Sequence, residues 1–253
     1  MKTASFGGTD TGKKRTNNED AYLLNDELSL YAVADGVGGN EGGEVASRMA
    51  VETLAASMPD LLGEKDRTPP TGGLSRTDPD IMALTYALTL VNRTIRREQS
   101  DNPVLAGMAT TLTALLLRKG RMFLAHIGDS RAYLLRSGKF TQLTSDHSVV
   151  AEQLRAGALT SEQARRSSYR HVITRALGIG EEVKADFTSQ ALQREDRLLL
   201  CTDGLTGVVG DAEISRLLST AAPRDAVQKL LAAANDGGGL DNITAVVVWV
   251  TEV

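Results

Sequence analysis

Short, compact apolar runs along this chain alternate with longer stretches in which apolar residues recur every three or four positions. Residues 28–34, 111–117, 121–127, 131–135, 197–201 and 243–250 form the runs. They are strand-sized and apolar, several of them rich in Leu or Val, and too short for free-standing helices. Arg118-Lys119-Gly120, between two runs, and Arg136-Ser137-Gly138-Lys139, after a third, read as tight hairpin turns. Sequential hairpins predict antiparallel sheets.

Helical spacing marks residues 44–56 and 80–97, the second with Ile81, Leu84, Leu88, Val91 and Ile95 along one face. Asp78 and Pro79 stand just before it, as a capping residue and a first-turn proline would. Shorter helices are predicted over 148–156, 211–219 and 224–234. Residues 63–79 gather Gly, Pro, Thr and charged side chains without an apolar period. They join two helical patterns, so they read as a surface insertion in a single domain spanning 1–253. Strands and helices mix without regular βαβ alternation. The prediction is an α+β fold of antiparallel sheets with helices covering the outside.

Bulk properties narrow the function classes. The 253 residues can bury a sizeable core without disulfides. A net charge of −4 supplies no basic field for nucleic acid or anionic membrane. No apolar run approaches the roughly 20 residues that cross a bilayer, and Met1 to Gly8 lacks the apolar core of a signal peptide. The single cysteine, Cys201, has no intrachain disulfide partner and fits a reducing, cytoplasmic setting. Its neighbours Leu200 and Thr202 include no base, so it reads as a small buried strand residue, not a nucleophile.

Acidic motifs carry the candidate chemistry. They are Arg15-Thr16-Asn17-Asn18-Glu19-Asp20, Ala34-Asp35-Gly36-Val37-Gly38-Gly39, Gly128-Asp129-Ser130-Arg131, Cys201-Thr202-Asp203-Gly204 and Gly239-Leu240-Asp241-Asn242-Ile243-Thr244. One Asp-Gly pair alone is usually a turn. Asp129 alone could be a solvated loop residue, and Asp241-Asn242 alone a cap or turn. Here, however, most of the aspartates adjoin both an apolar strand run and a glycine, which lets backbone approach a ligand. Carboxylates converging in one cleft repel one another unless a divalent cation sits among them. All-oxygen ligands suit magnesium or manganese, and no Cys/His set has zinc spacing.

The series resembles the metal-dependent protein phosphatases, the protein phosphatase 2C (PPM) family, in its bacterial form. Further matching stretches are Gly42-Gly43-Glu44-Val45-Ala46-Ser47, Ala109-Thr110-Thr111, Asp146-His147-Ser148, Ile173-Thr174-Arg175-Ala176-Leu177-Gly178 and Asp241-Asn242-Ile243-Thr244. The resemblance runs from about Gly7 to Val250. It implies a four-layer α-β-β-α sandwich of two antiparallel sheets flanked by helices, with two Mn2+ or Mg2+ ions in a cleft at one edge. Asp35 would bridge them, with the Gly36 carbonyl also a ligand. Asp203 and Asp241 would hold one ion and Asp20 would serve the other, while Asp129 and Asp203 would take a third. Glu19 competes with Asp20 for the place nearer the metal. Arg15 fits the phosphate-gripping position, although Lys13 and Lys14 beside it also allow a merely solvated basic cluster.

The implied activity is hydrolysis of phosphoserine and phosphothreonine in a phosphoprotein substrate, by a monomer opposing a Ser/Thr kinase. A catalytically weak phosphoprotein-binding regulator and a hydrolase of small phosphate esters are the alternatives. Asn40 stands where many members carry a histidine taken to protonate the leaving group; asparagine has no useful proton to give. His126, His147 and His171 are read as structural, with His147 as cap of the helix that follows it. Residues 146–177 match the family's flap, a mobile segment beside the cleft, and carry Ser167 and Ser168 where many relatives have His-Pro. Basic residues there could meet an acidic phosphopeptide or simply solvate a helix end.

Overall fold

The computed structural model describes residues 1–38, 42–63, 78–169 and 171–253. Eleven strands and seven α-helices are found among them. In chain order they begin with β1 (Lys2–Asp10), β2 (Asp20–Asn25), β3 (Leu30–Val37), α1 (Gly42–Gly63) and α2 (Pro79–Asp101). Next come β4 (Ala109–Thr110), β5 (Leu112–Arg118), β6 (Arg121–Ile127), β7 (Arg131–Arg136) and β8 (Lys139–Gln142). The chain continues through α3 (Val149–Arg155), α4 (Ser161–Arg166), β9 (Asp186–Ala191), β10 (Arg197–Cys201) and α5 (Asp203–Thr206). It ends with α6 (Asp211–Thr220), α7 (Pro223–Asp236) and β11 (Ile243–Glu252).

The strands form two antiparallel sheets, ordered β1-β11-β10-β7-β8 and β2-β3-β5-β6-β9, with β4 paired to β3. Lys119 and Gly120 both adopt left-handed backbone, as do Ser137 and Gly138. These are two-residue turns whose twist matches that of the flanking strands, and the predicted hairpins β5–β6 and β7–β8 form.

Three apolar layers hold the sheets and helices together. Tyr31, Val33, Leu115 and Leu124 face Leu134, Leu198, Leu200, Val246 and Val248 between the sheets. Leu30, Ala32 and Leu116 turn the other way, onto Leu54 and Met58 of α1 and Leu84, Leu88 and Ile95 of α2. On the far side Leu199, Ala245 and Val247 meet Leu218 of α6 and Leu230 of α7. Side chains alternating along a strand serve two different layers, so both sheets are buried on both faces. This is the expected α-β-β-α layering.

Several boundaries differ from expectation. Helix α1 runs past residue 56 and through Pro59, because Met58 and Leu61 continue its buried face. Asp78 caps α2, its side chain accepting from the Asp80 amide, with Pro79 in the first turn as predicted. Of the expected insertion at 63–79, residues 64–77 lie outside the described residues. Strands β1, β2 and β9 and the short helices α4 and α5 are additions. No helix among the described residues is long and apolar enough to cross a membrane.

Candidate metal centre

Five aspartates come together from five separate segments. Asp20 opens β2 and stands directly opposite Asp35 of β3 in the ladder. Such cross-strand partners put their side chains on the same face, which forces two carboxylates into one space. Buried threonines fix the Asp35 backbone. Its N–H donates to Thr111 Oγ1 at 2.9 Å, and its carbonyl accepts from the Thr111 N–H and from Thr110 Oγ1, each at 2.9 Å. Gly36 follows, its N–H donating to the Glu19 carbonyl at 3.0 Å. A Cβ on Gly36 would lie 2.0 Å from the Gly43 carbonyl oxygen at the start of α1, so only glycine fits.

Asp129 sits between β6 and β7, and Asp203 opens α5 immediately beyond β10. Asp241 lies just before β11, and its neighbour Asn242 cross-braces the centre. The Asn242 side chain accepts from the Glu19 N–H at 2.8 Å and donates to the carbonyls of Thr11 at 3.0 Å and Asn17 at 2.8 Å. Thr202 Oγ1 donates to Asp20 Oδ2 at 2.8 Å and accepts from the Thr244 N–H at 3.0 Å.

Burial, then mutual repulsion, dominates the electrostatics. Asp35 is pushed well above the usual carboxylate range, first by loss of solvent and then by the charges of Asp20, Asp203, Asp129 and Asp241. Burial raises Asp20 to about 7, against the lowering hydrogen bonds from Thr244 and Thr202. Asp129 is raised to about 7 by burial and by the charges of Asp203 and Asp146. Asp20 Oδ1 is buried and accepts no hydrogen bond. Among the described residues no three acidic, histidine or cysteine side chains already converge tightly enough to ligate one ion. The orphaned Asp20 oxygen and the crowding of carboxylates onto Asp35 nevertheless fit oxygen-preferring divalent cations, which would relieve both.

Arg15 reaches this group: its Nη2 donates to Asp241 Oδ2 at 2.8 Å, with the guanidinium half exposed. Arg15 is therefore near enough to the carboxylates to meet a phosphoryl group held beside them. Glu19, the alternative to Asp20, is less buried, and its carboxylate lies beside Gly43, where a Cβ would come within 2.7 Å of Glu19 Oε1.

The histidines divide. His126 is buried, with Nδ1 at 2.9 Å from Thr113 Oγ1, and burial lowers its pKa to about 4. His147 does not cap the next helix; Ser148 does, accepting from the Ala151 amide. His147 instead accepts from the Gly128 N–H through Nδ1 at 3.1 Å, and its Nε2 is taken up by Asp186, so its ring is not available to the helix amides. His171 is exposed, with Nδ1 3.8 Å from Asp203 Oδ2. Asn40, Gly39 and Arg170 lie outside the described residues.

Sequence reading placed Thr110, Thr111, Thr202, Asn242 and Thr244 within the matching motifs but gave them no role in holding the aspartates. Ser130 Oγ lies 2.9 Å from Thr111 Oγ1, and Thr113 Oγ1 donates to the Ser130 carbonyl at 3.3 Å. A buried relay of hydroxyls thus links the loop carrying Asp129 to the backbone of Asp35. Besides the motif Ala109-Thr110-Thr111, the signal was a cluster of hydroxyl residues in otherwise apolar surroundings, at Thr110, Thr111 and Thr113.

A sequence profile of the protein phosphatase 2C family matches residues 8–240. The chain is 36% identical over 248 residues to protein phosphatase PhpP of Streptococcus pneumoniae, covering 96% of both. It is 38% identical over 244 residues to the serine/threonine protein phosphatase PstP of Mycobacterium tuberculosis, covering 96% of this chain and 44% of that one. The crystal structure of the Mycobacterium tuberculosis PstP superposes with a TM-score of 0.86 at 37% identity, covering 99% of each chain. A structure of the PstP catalytic domain in complex with two manganese ions gives 0.84 at 37% identity, again with 99% of each chain covered. Profile, sequences and structures agree along nearly the whole length with the order of the acidic motifs, and the chain belongs to the protein phosphatase 2C family.

Proposed function

We propose that this protein is a metal-dependent protein phosphatase that hydrolyses phosphoserine and phosphothreonine in protein substrates. The observation that carries the reading is the meeting of Asp20, Asp35, Asp129, Asp203 and Asp241 around the buried Asp20, whose Oδ1 is left without a partner. Asp35 would bridge two ions, helped by the Gly36 carbonyl. Asp203 and Asp241 would complete one of them, Asp20 would serve the other, and Asp129 with Asp203 would hold a third. When bound, a manganese or magnesium pair supplies an ionised solvent nucleophile and neutralises charge on the phosphoryl oxygens. The PstP complex with two manganese ions supports this choice.

The chain's own residues do the rest. Arg15 exchanges its contact with Asp241 for two phosphoryl oxygens, which fixes the phosphate for in-line displacement. The threonine clamp on Asp35 and the Asn242 brace keep the carboxylates in place during turnover, so little reorganisation is needed. No side chain has to be phosphorylated. Cys201 is excluded as a nucleophile because burial raises its thiol to about 12. Residues 146–177 form the flap against which a phosphoprotein would rest. The physiological setting we infer is a cytoplasmic monomer that reverses a Ser/Thr kinase.

The test compares manganese-dependent hydrolysis of a phosphothreonine peptide and a small aryl phosphate by wild type, Asp35→Asn and Asp203→Asn. The expected loss in each variant is at least about 10²–10³-fold with the fold intact, the scale of removing one stabilising group from a phosphoryl-transfer or acyl-transfer site. Binding of the phosphopeptide without turnover would instead identify a regulator. Turnover confined to the aryl phosphate would identify a small-ester hydrolase.

A further inference from the structure

The flap segment 146–177 is tied down at its base, and one buried ring makes the tie. His147 is 1% exposed and bonds in four directions. Its N–H donates to the Gly128 carbonyl at 2.7 Å, and its Nδ1 accepts from the Gly128 N–H at 3.1 Å. Its carbonyl accepts from the Thr174 N–H at 2.7 Å. Its Nε2 lies 3.1 Å from Asp186 Oδ2, whose other oxygen takes Arg175 Nη1 at 3.1 Å.

An amide N–H can only donate, so Nδ1 carries no proton and Nε2 carries it. The contact with Asp186 is therefore a hydrogen bond from a neutral imidazole to a carboxylate. Arg175 Nη1 also lies 3.1 Å from His147 Nε2. Two donors do not bond each other, so the shared Asp186 carboxylate holds them side by side. The face of the ring stacks on His126 at 4.8 Å, and His126 leads through Thr113 to Ser130.

Together these contacts join both ends of the flap to the residues flanking Asp129. We propose that His147 is a positioning residue that sets the Gly128–Asp129 loop and the flap in register, so that the flap and the Asp129 ion site are placed together. The metal part of this proposal rests on the phosphatase reading above; the loop part rests on the hydrogen bonds alone. Nδ1 governs the loop, and Nε2 governs the returning end of the flap through Asp186 and Arg175. The two nitrogens are therefore separable by substitution.

Asparagine offers an oxygen near the place of Nδ1 but cannot reach Asp186. Glutamine offers a donor near the place of Nε2 but leaves the Gly128 N–H without an acceptor. Amide hydrogen exchange is measured on metal-free His147→Asn and His147→Gln, followed by calorimetric titration with manganese. His147→Gln is expected to speed exchange at Gly128 about fivefold to tenfold, the effect of losing one ordinary hydrogen bond, and to weaken manganese uptake at the site that includes Asp129. His147→Asn is expected to keep Gly128 protected and to speed exchange at Thr174 and Arg175. Asp186→Ala, on the edge strand β9, provides a check that leaves the core untouched; it should loosen Thr174 and Arg175 as His147→Asn does. Equal behaviour of the Asn and Gln variants, or unchanged exchange at Gly128 in His147→Gln, overturns the proposal. Wild-type protein that takes up no manganese overturns the phosphatase reading instead, and leaves the exchange result to judge His147.

Discussion

Substituting Asp20 by asparagine tests the cost of burying an ionisable carboxyl group. Asp20 is raised from an ordinary 3.8 to about 7, chiefly by burial. The folded chain thus holds this proton more tightly than the unfolded chain does. That contribution to stability is complete below the unfolded pKa and is lost as pH rises through the folded one. Each pH unit between the two values costs about 1.4 kcal/mol, so the interval from about pH 5 to about pH 7 costs about 3 kcal/mol in wild type. The amide introduced by Asp20→Asn has no proton to lose. It keeps an oxygen for the Thr202 hydroxyl, while its NH2 takes the place of the orphaned Oδ1, at about 1–3 kcal/mol for a buried donor without a partner.

The metal-free variant is therefore expected to melt below wild type near pH 5 and to gain on it by roughly 6–12 °C by about pH 7. Thermal unfolding in a chelator at the two pH values, followed by circular dichroism, measures the difference. With saturating manganese the order reverses, because wild type gains binding energy that the variant has lost. A variant that melts below wild type by the same margin at both pH values would refute the argument, since the Asp20 carboxyl would then not be held proton-bound by the fold.

The other expectations are simpler. Arg15→Lys should lower kcat/KM for a phosphopeptide by roughly 10–100-fold, because an ammonium cannot match a two-pronged grip worth about 1.5–3 kcal/mol; full activity would remove Arg15 from the phosphate site. Gly36→Ala places its methyl 2.0 Å from the Gly43 oxygen and should destabilise by more than about 3 kcal/mol in chemical unfolding; a stable variant would mean that β3 and α1 separate easily. Cys201 should stay unlabelled by a thiol reagent in the native state and react on denaturation, since it is buried with its thiol raised to about 12.

Much of this architecture can be read from residue order, and the exceptions have physical causes. The β5–β6 and β7–β8 hairpins are legible because Lys119-Gly120 and Ser137-Gly138 encode their turns locally. Strand β1 is not, since Gly7 and Gly8 argue against a strand in isolation. They are there because neighbours need the space: a Cβ on Gly7 would lie 2.6 Å from the Tyr22 ring, and one on Gly8 would lie 3.0 Å from Val227 of α7. Strand β9 is a polar edge strand with no apolar period to betray it. Most aspartates of the site are legible because they end or begin an apolar run. The threonines that orient Asp35, and the true partners of His147, depend on contacts between residues far apart in sequence. Spacing carries no trace of those.

Strand β11 contains the last residues of the sheet to be made, yet it occupies an interior place, between β1 and β10. Lys2 at one extreme of the sequence pairs with Glu252 at the other. On the ribosome, β1 and β10 must wait apart until this segment leaves the exit tunnel, and the long loop it closes makes its docking slow. Asp241 enters together with it. A nascent chain lacking this segment is thus missing one of the five acidic groups as well as a central strand, which keeps the hydrolytic centre unbuilt until β11 itself has been made.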